Sequence, residues 1–209
     1  MKTNSFYAVL LSCSLTFAAT AQQTVIPLSQ SVAFDDTYTI IWNGISKAFR
    51  YENGNWSRDE RYDYQFSVVQ KRYDNHWNSI KTLHRTHPDY DGKAGDRDQT
   101  MYFEVLYNSM EGQSVHSTIQ SSIGNGTGTS DPEFRDSELT MYVPKPGKFL
   151  PYNKFRITQH YDYEAGILTE TVELLLEKDG KEKPFMKNEE TALIYLKSKL
   201  NEAPTRFKP

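Results

Sequence analysis

Residues 155–186 constrain this chain more than any other stretch. Phe155, Ile157, Gln159, Tyr161 and Tyr163 alternate with Arg156, Thr158, His160 and Asp162. A period of two sends these two sets to opposite faces of an extended strand. Glu164-Ala165-Gly166 follows, a short loop whose glycine accepts the positive φ of a tight hairpin. The return run, 167–178, puts Leu168, Val172, Leu174 and Leu176 on one face. Asp179-Gly180 marks a second hairpin, and 181–186 reads as a third strand. Pro184 places that strand at an edge or ends it, because it has no N–H to donate. A meander with one apolar face needs cover, so it belongs to something larger.

Further strands are written upstream. In 61–73, Tyr62, Tyr64, Phe66 and Val68 alternate with polar residues, and 100–108 is apolar on both faces, as in a central strand. Runs 113–123 and 139–143 add two more, while 77–84 fits a strand or a short helix. The Gly/Thr/Ser-rich run 124–132 reads as a loop.

Two segments carry helical spacing. In 36–51, Tyr38, Ile41, Trp42, Ile45, Ala48 and Phe49 fall on one helical face, with an aspartate to cap the start and Asn53-Gly54 to end it. The competing reading is a hairpin turning at Asn53-Gly54, with Trp56 across from Tyr51. In 188–200, Asn188 suits the cap, Glu189 and Glu190 the first turn, and Ala192, Leu193, Leu196 and Leu200 the apolar stripe. The expected fold is therefore α+β and β-dominated. One large curved antiparallel sheet, a half-barrel or open barrel, carries an N-terminal helix (36–51) and a C-terminal helix (188–200) packed on it. It forms a single domain over 22–200, with a flexible tail at 201–209.

Lys2, the apolar run 6–17 and the small-x-small triplet Ala19-Thr20-Ala21 have the form of an export signal, so residues 1–21 read as a signal peptide cleaved after Ala21. The expected location is outside the cytoplasm of a bacterium: periplasmic, cell-surface or secreted. Lipid anchoring through Cys13 is the weaker alternative, because Leu11 suits a lipoprotein processing site poorly. Cys13 is the sole cysteine, so a cleaved chain has no disulfide, thiol nucleophile or thiolate ligand. The net charge of −3 becomes one more negative without Lys2, which argues against a nucleic-acid partner. No later run is apolar for long enough to form a transmembrane helix.

The aromatic residues on the sheet's apolar phase, Tyr62, Tyr64, Phe66, Tyr161 and Tyr163, are the candidate walls of a ligand site between sheet and helix. Asp89, Asp91, Asp96 and Asp98 lie in an Asp/Gly-rich loop and are candidate oxygen ligands for a metal such as Ca²⁺. Gly92 and Lys93 interrupt the spacing of a helix-loop-helix calcium loop. His160 and Asp162 share a polar strand face and could serve acid–base chemistry. No complete catalytic set is written, no catalytic residue is assigned, and no cofactor is implied.

Three functions remain open at this level. The leading one is an exported, non-enzymatic protein binding a lipid-like, apolar or amphipathic small molecule. The alternative is a surface or secreted module contacting protein or glycan through exposed Tyr and Trp. The third is a hydrolase using histidine and carboxylates.

Overall fold

A computed structural model describes residues 38–73, 76–92, 96–143, 151–199 and 205–206. The signal at 1–21, Cys13 and most of the tail lie outside the described residues. Twelve strands follow in order: β1 (Tyr38–Glu52), β2 (Asn55–Arg58), β3 (Tyr64–Arg72), β4 (His76–His84), β5 (Asp98–Glu111), β6 (Ser114–Ser121), β7 (Asn125–Ser130), β8 (Asp136–Tyr142), β9 (Lys154–Asp162), β10 (Ile167–Lys178), β11 (Lys181–Lys199) and β12 (Thr205–Arg206). The one helical element among the described residues is a 3-10 turn at Glu60–Tyr62.

Sequential neighbours pair antiparallel from β3 to β11, β1 pairs with β3, and β11 pairs back onto β1 from Tyr38↔Lys199 to Arg50↔Met186. Ten strands thus close a barrel, and β2 and β12 are short additions on β1 and β11. Closure removes the sheet edges that an open half-barrel would leave unpaired.

Closure overturns the expected half-barrel, and both expected helices are strands. On β1, Ile40, Trp42, Ser46 and Ala48 turn inward and are buried, while Ile45 faces out. The helical spacing arose from mixing residues of both faces: Trp42 and Ala48 are buried, whereas Ile45 is exposed. Gly44 stands on the inward phase because a Cβ there would meet Thr191 O at 2.5 Å and the Phe66 ring at 2.6 Å. The strand ends in a hairpin at Asn53-Gly54, both with positive φ, and Tyr51 pairs with Trp56, their rings 5.0 Å apart. That is the hairpin reading of this segment.

On β11, Met186, Asn188, Glu190 and Ala192 are buried, and Leu193 and Tyr195 are exposed. Two polar residues on the inward phase broke the alternation of hydrophobicity and left a helical pattern in its place. The meander over 155–186 is observed as β9, β10 and the first part of β11. Pro184 lies where β11 has run past its last β1 partner, Met186, and so pairs with β10 alone. A register shift at Leu174/Leu175 buries Leu175 and exposes Leu176.

The interior packs in two clusters. One gathers Trp77, Val105, Tyr107, Val115, Ile119, Phe134, Leu139, Met141, Phe155 and Ile157. The other gathers Ile40, Trp42, Tyr64, Phe66, Leu83, Tyr161, Leu168 and Ala192. At the base, where β1 begins, aromatic rings fill the barrel. Trp42 lies 5.6 Å from Tyr161, Tyr161 stacks on Tyr163 at 5.5 Å, and Tyr107 lies 4.5 Å from Phe134. The opposite end, where β4 hands over to β5, is less filled.

Candidate ligand-binding site

Inward polar residues form a hoop around the barrel. Direct register partners run Tyr64↔Ser46↔Glu190↔Glu170↔Gln159↔Ser137↔Ser130, crossing seven strands from β3 to β7. On six of the seven strands, the residue sits on the phase that apolar residues occupy elsewhere on the same strand; on β7, Ser130 shares its phase with Gly126 and Gly128. Lys81, buried on β4, reaches the two carboxylates: its Nζ lies 3.0 Å from Glu170 Oε1 and 2.5 Å from Glu190 Oε2. The Tyr64 hydroxyl donates to Glu190 Oε1, and Gln159 Nε2 donates to Glu170 Oε2 at 2.5 Å. Asn188 Nδ2 donates to Ser46 Oγ at 3.0 Å, and the two serine hydroxyls of Ser130 and Ser137 meet at 2.9 Å.

Burial is the main influence on the Glu190 carboxyl, and it favours the neutral acid. Lys81 opposes that, Glu170 adds to it, and the result is a pKa pushed up to about 7. Burial, followed by the charge of Glu190, pushes the Tyr64 phenol well above its usual range. Burial disfavours the Lys81 ammonium, yet the two carboxylates outweigh it and hold the pKa well above that of free lysine.

Lys81, Glu170 and Glu190 stand between two spaces. A cavity of about 390 Å³ lies between the hoop and the mouth, walled by Met101, Phe103, Ile123, Phe155, Ile157 and Val172, with Arg85 and Tyr152 also lining it. A void of about 50 Å³ lies toward the base, among Trp42, Phe66, Trp77, Tyr161 and Leu168. Lys81, Phe103, Ile157, Glu170 and Glu190 line both. The larger volume falls within the range of small-molecule sites.

The five aromatic candidates are scattered along the barrel. Tyr64 lines the larger cavity as part of the hoop. Phe66 and Tyr161 line the smaller void, Phe66 carrying Lys81 Nζ 4.7 Å over its ring. Tyr163 belongs to the base, its hydroxyl donating to Phe134 O at 3.1 Å. Tyr62 sits on the 3-10 turn, donating to Asp91 and packing edge-on to Tyr90 at 5.4 Å.

The four aspartates take separate partners. Asp91 accepts from Arg61 at 3.0 Å and from Tyr62, and Asp98 contacts His84. Asp96 offers its backbone carbonyl to Arg85, and the backbone N–H of Asp89 donates to His87. Among the described residues, no three His, Cys, Asp or Glu side chains are grouped to hold a metal. His160 contacts Asp136 at 2.7 Å on the exposed outer wall, and Asp162 instead accepts from the turn N–H groups of Glu164 and Ala165.

Sequence reasoning passed over Lys81, Arg85, Glu170 and Glu190. The available signal was a charged residue on an inward phase: Lys81 between Ser79 and Leu83, Glu170 between Leu168 and Val172, Glu190 between Asn188 and Ala192.

Fold and site together define a class: a closed, ten-strand, up-and-down β-barrel with a charged hoop across its core. In comparisons with known proteins, no family model and no curated protein matches this sequence.

Proposed function

We propose that this is an exported, non-enzymatic protein that binds a small amphipathic molecule inside the barrel, through the mouth beside Arg85. The observation that carries this reading is the 390 Å³ cavity, with apolar walls and a few buried polar groups at its floor. Such sites hold ligands by apolar contact and orient them with few hydrogen bonds. The ligand lies within the closed sheet rather than between sheet and helix. The form of the leader supports export. No helix among the described residues is long and apolar enough to cross a membrane.

Organic extraction of protein purified from its natural host tests this. A stoichiometric amphiphile is expected, and stripping it should lower the melting temperature, since a ligand bound only by the folded form stabilises it. Val172→Trp, which fills the cavity wall, should abolish that thermal shift. A clean extract, with no shift across fatty acids, phospholipids and isoprenoids, would overturn the reading.

A second reading, a surface that contacts protein or glycan, has one supporting observation. Ile41, Val69, Ile80 and Tyr102 are direct register partners on the outer wall, and Val69, Ile80 and Tyr102 are exposed.

A further inference from the structure

Arg85 stands apart from most of the arginines around it. Arg50, Arg58, Arg61 and Arg156 each pair with a carboxylate within 3.1 Å. The Arg85 guanidinium makes one hydrogen bond to a described residue, from Nη1 to the backbone carbonyl of Asp96 at 2.5 Å. Its Nε is buried with no partner among the described residues. The unfilled edge, Nε with Nη2, is the one a carboxylate or phosphate grips side-on with two parallel bonds. Arg61 demonstrates the same grip within this chain, Nε to Asp59 Oδ1 at 2.9 Å and Nη2 to Asp59 Oδ2 at 3.0 Å.

The side chain is also held in place. Its Cζ lies 5.6 Å from the Tyr64 ring centroid and 5.3 Å from that of Tyr90. Arg97 fixes the backbone beneath it. The Arg85 N–H donates to Arg97 O at 2.9 Å, and Arg97 Nη1 donates back to Arg85 O at 3.3 Å. Arg97 itself forms its guanidinium hydrogen bonds to carbonyls, those of Arg85, His87 and Pro88. Two guanidinium groups therefore stand together in the loop at the mouth, without a carboxylate within ion-pair distance among the described residues. A buried unpaired donor costs free energy, and a ligand oxyanion at this edge would relieve that cost. At the far side of the same cavity, the Lys81 ammonium is already engaged by Glu170 and Glu190, which leaves the Arg85 edge as the seat for a negative head and the apolar walls for its tail.

We infer that the cavity takes an amphiphile with an anionic head, a carboxylate or phosphate monoester, seated on the Nε/Nη2 edge of Arg85. The inference rests on the ligand-binding reading above. Titration calorimetry of the leader-free chain with decanoate, decyl phosphate, decanol and decylamine tests it, in wild type and Arg85→Gln. One or both anions should bind about tenfold or more tightly than the alcohol and the amine, and their order shows which oxyanion fits. Arg85→Gln should erase that preference, bringing the affinity for the anions down to that for decanol. Equal affinities for acid, phosphate and alcohol in wild type, or a preference that survives Arg85→Gln, would overturn the head-group assignment with the cavity reading intact. If none of the four binds, both fail.

Discussion

Glu170 and Glu190 face each other as direct register partners on β10 and β11, inside the barrel. Like charges in that relation destabilise a sheet. Lys81, extended from the opposite wall, bridges the two and makes the arrangement tolerable. Breaking a buried pair by removing one partner costs about 3–5 kcal/mol, because the other is left uncompensated. Lys81→Met should destabilise the barrel by about that amount in urea melts. Adding Glu190→Gln to Lys81→Met should recover part of the loss, about 1 kcal/mol or more, since the two sites are in contact and cannot be additive.

The same group sets a pH dependence. The folded pKa of Glu190, about 7, stands above the ordinary value of 4.5 that it regains on unfolding. The folded form binds this proton more tightly, so the stabilisation is fully present below pH 4.5 and is lost as the pH rises through 7. The loss is on the order of 3 kcal/mol across that window. Asp59 and Glu182, whose ion pairs lower their pKa values, act with the opposite sign at more acid pH. The difference between wild type and Glu190→Gln isolates the group. Urea melts between pH 4.5 and 8 should show wild type losing stability relative to the variant. Parallel profiles would mean that Glu190 is ionised throughout.

The strands whose inward phase is mostly apolar or aromatic, such as β3 in its first half and β9 apart from Gln159, were legible from alternation alone. The two that were misread, β1 and β11, both carry polar residues inward. Ser46, Asn188 and Glu190 replace apolar residues on the inward phase of β1 and β11, so the strand period vanished from hydrophobicity and a helical one took its place. Polar residues at core positions cost stability, and local pattern and global fold disagree where a site is built. Lys81 contacts Glu170 and Glu190 across the barrel, and nothing local in the sequence announces a contact between residues that far apart.

The Gly-rich run that reads as a loop is β7, and its glycines serve close approach. A Cβ on Gly126 would lie 1.8 Å from Thr140 O and 2.7 Å from Met141 Cα, both backbone atoms that cannot step aside. Gly126→Ala should therefore force β7 away from β8, at a cost of about 1–3 kcal/mol or more by analogy with overpacking. Thr127→Ala, one residue on and exposed, should change stability by no more than about 0.5 kcal/mol. Guanidinium melts of the two variants give the comparison. Equal effects would show that the β7–β8 approach is looser than this geometry.

Neighbouring residues on β9 separate core from surface electrostatics. Ile157 is buried and lines both internal spaces, so Ile157→Asp should cost about 3 kcal/mol or more through lost burial and an unpaired charge. Arg156 faces outward but is not idle. It bonds Glu173 at 3.1 Å and Glu182 at 2.5 Å, while Lys154 joins Glu182 and Glu177, both at 2.6 Å. Arg156→Asp removes two pairs and sets a third carboxylate beside two others. The side chain is 44% exposed, so solvent screens much of the interaction. The cost should be about 1–2 kcal/mol at low ionic strength, above the usual neutral surface change because attraction becomes repulsion. Salt distinguishes the two variants. In 1 M NaCl the screening length falls to about 3 Å, and the Arg156→Asp penalty should shrink by half or more. The Ile157→Asp penalty should persist, because its cause is burial. An Arg156→Asp cost that ignores salt would show that packing of the arginine stem, not the charge network, is what the residue contributes.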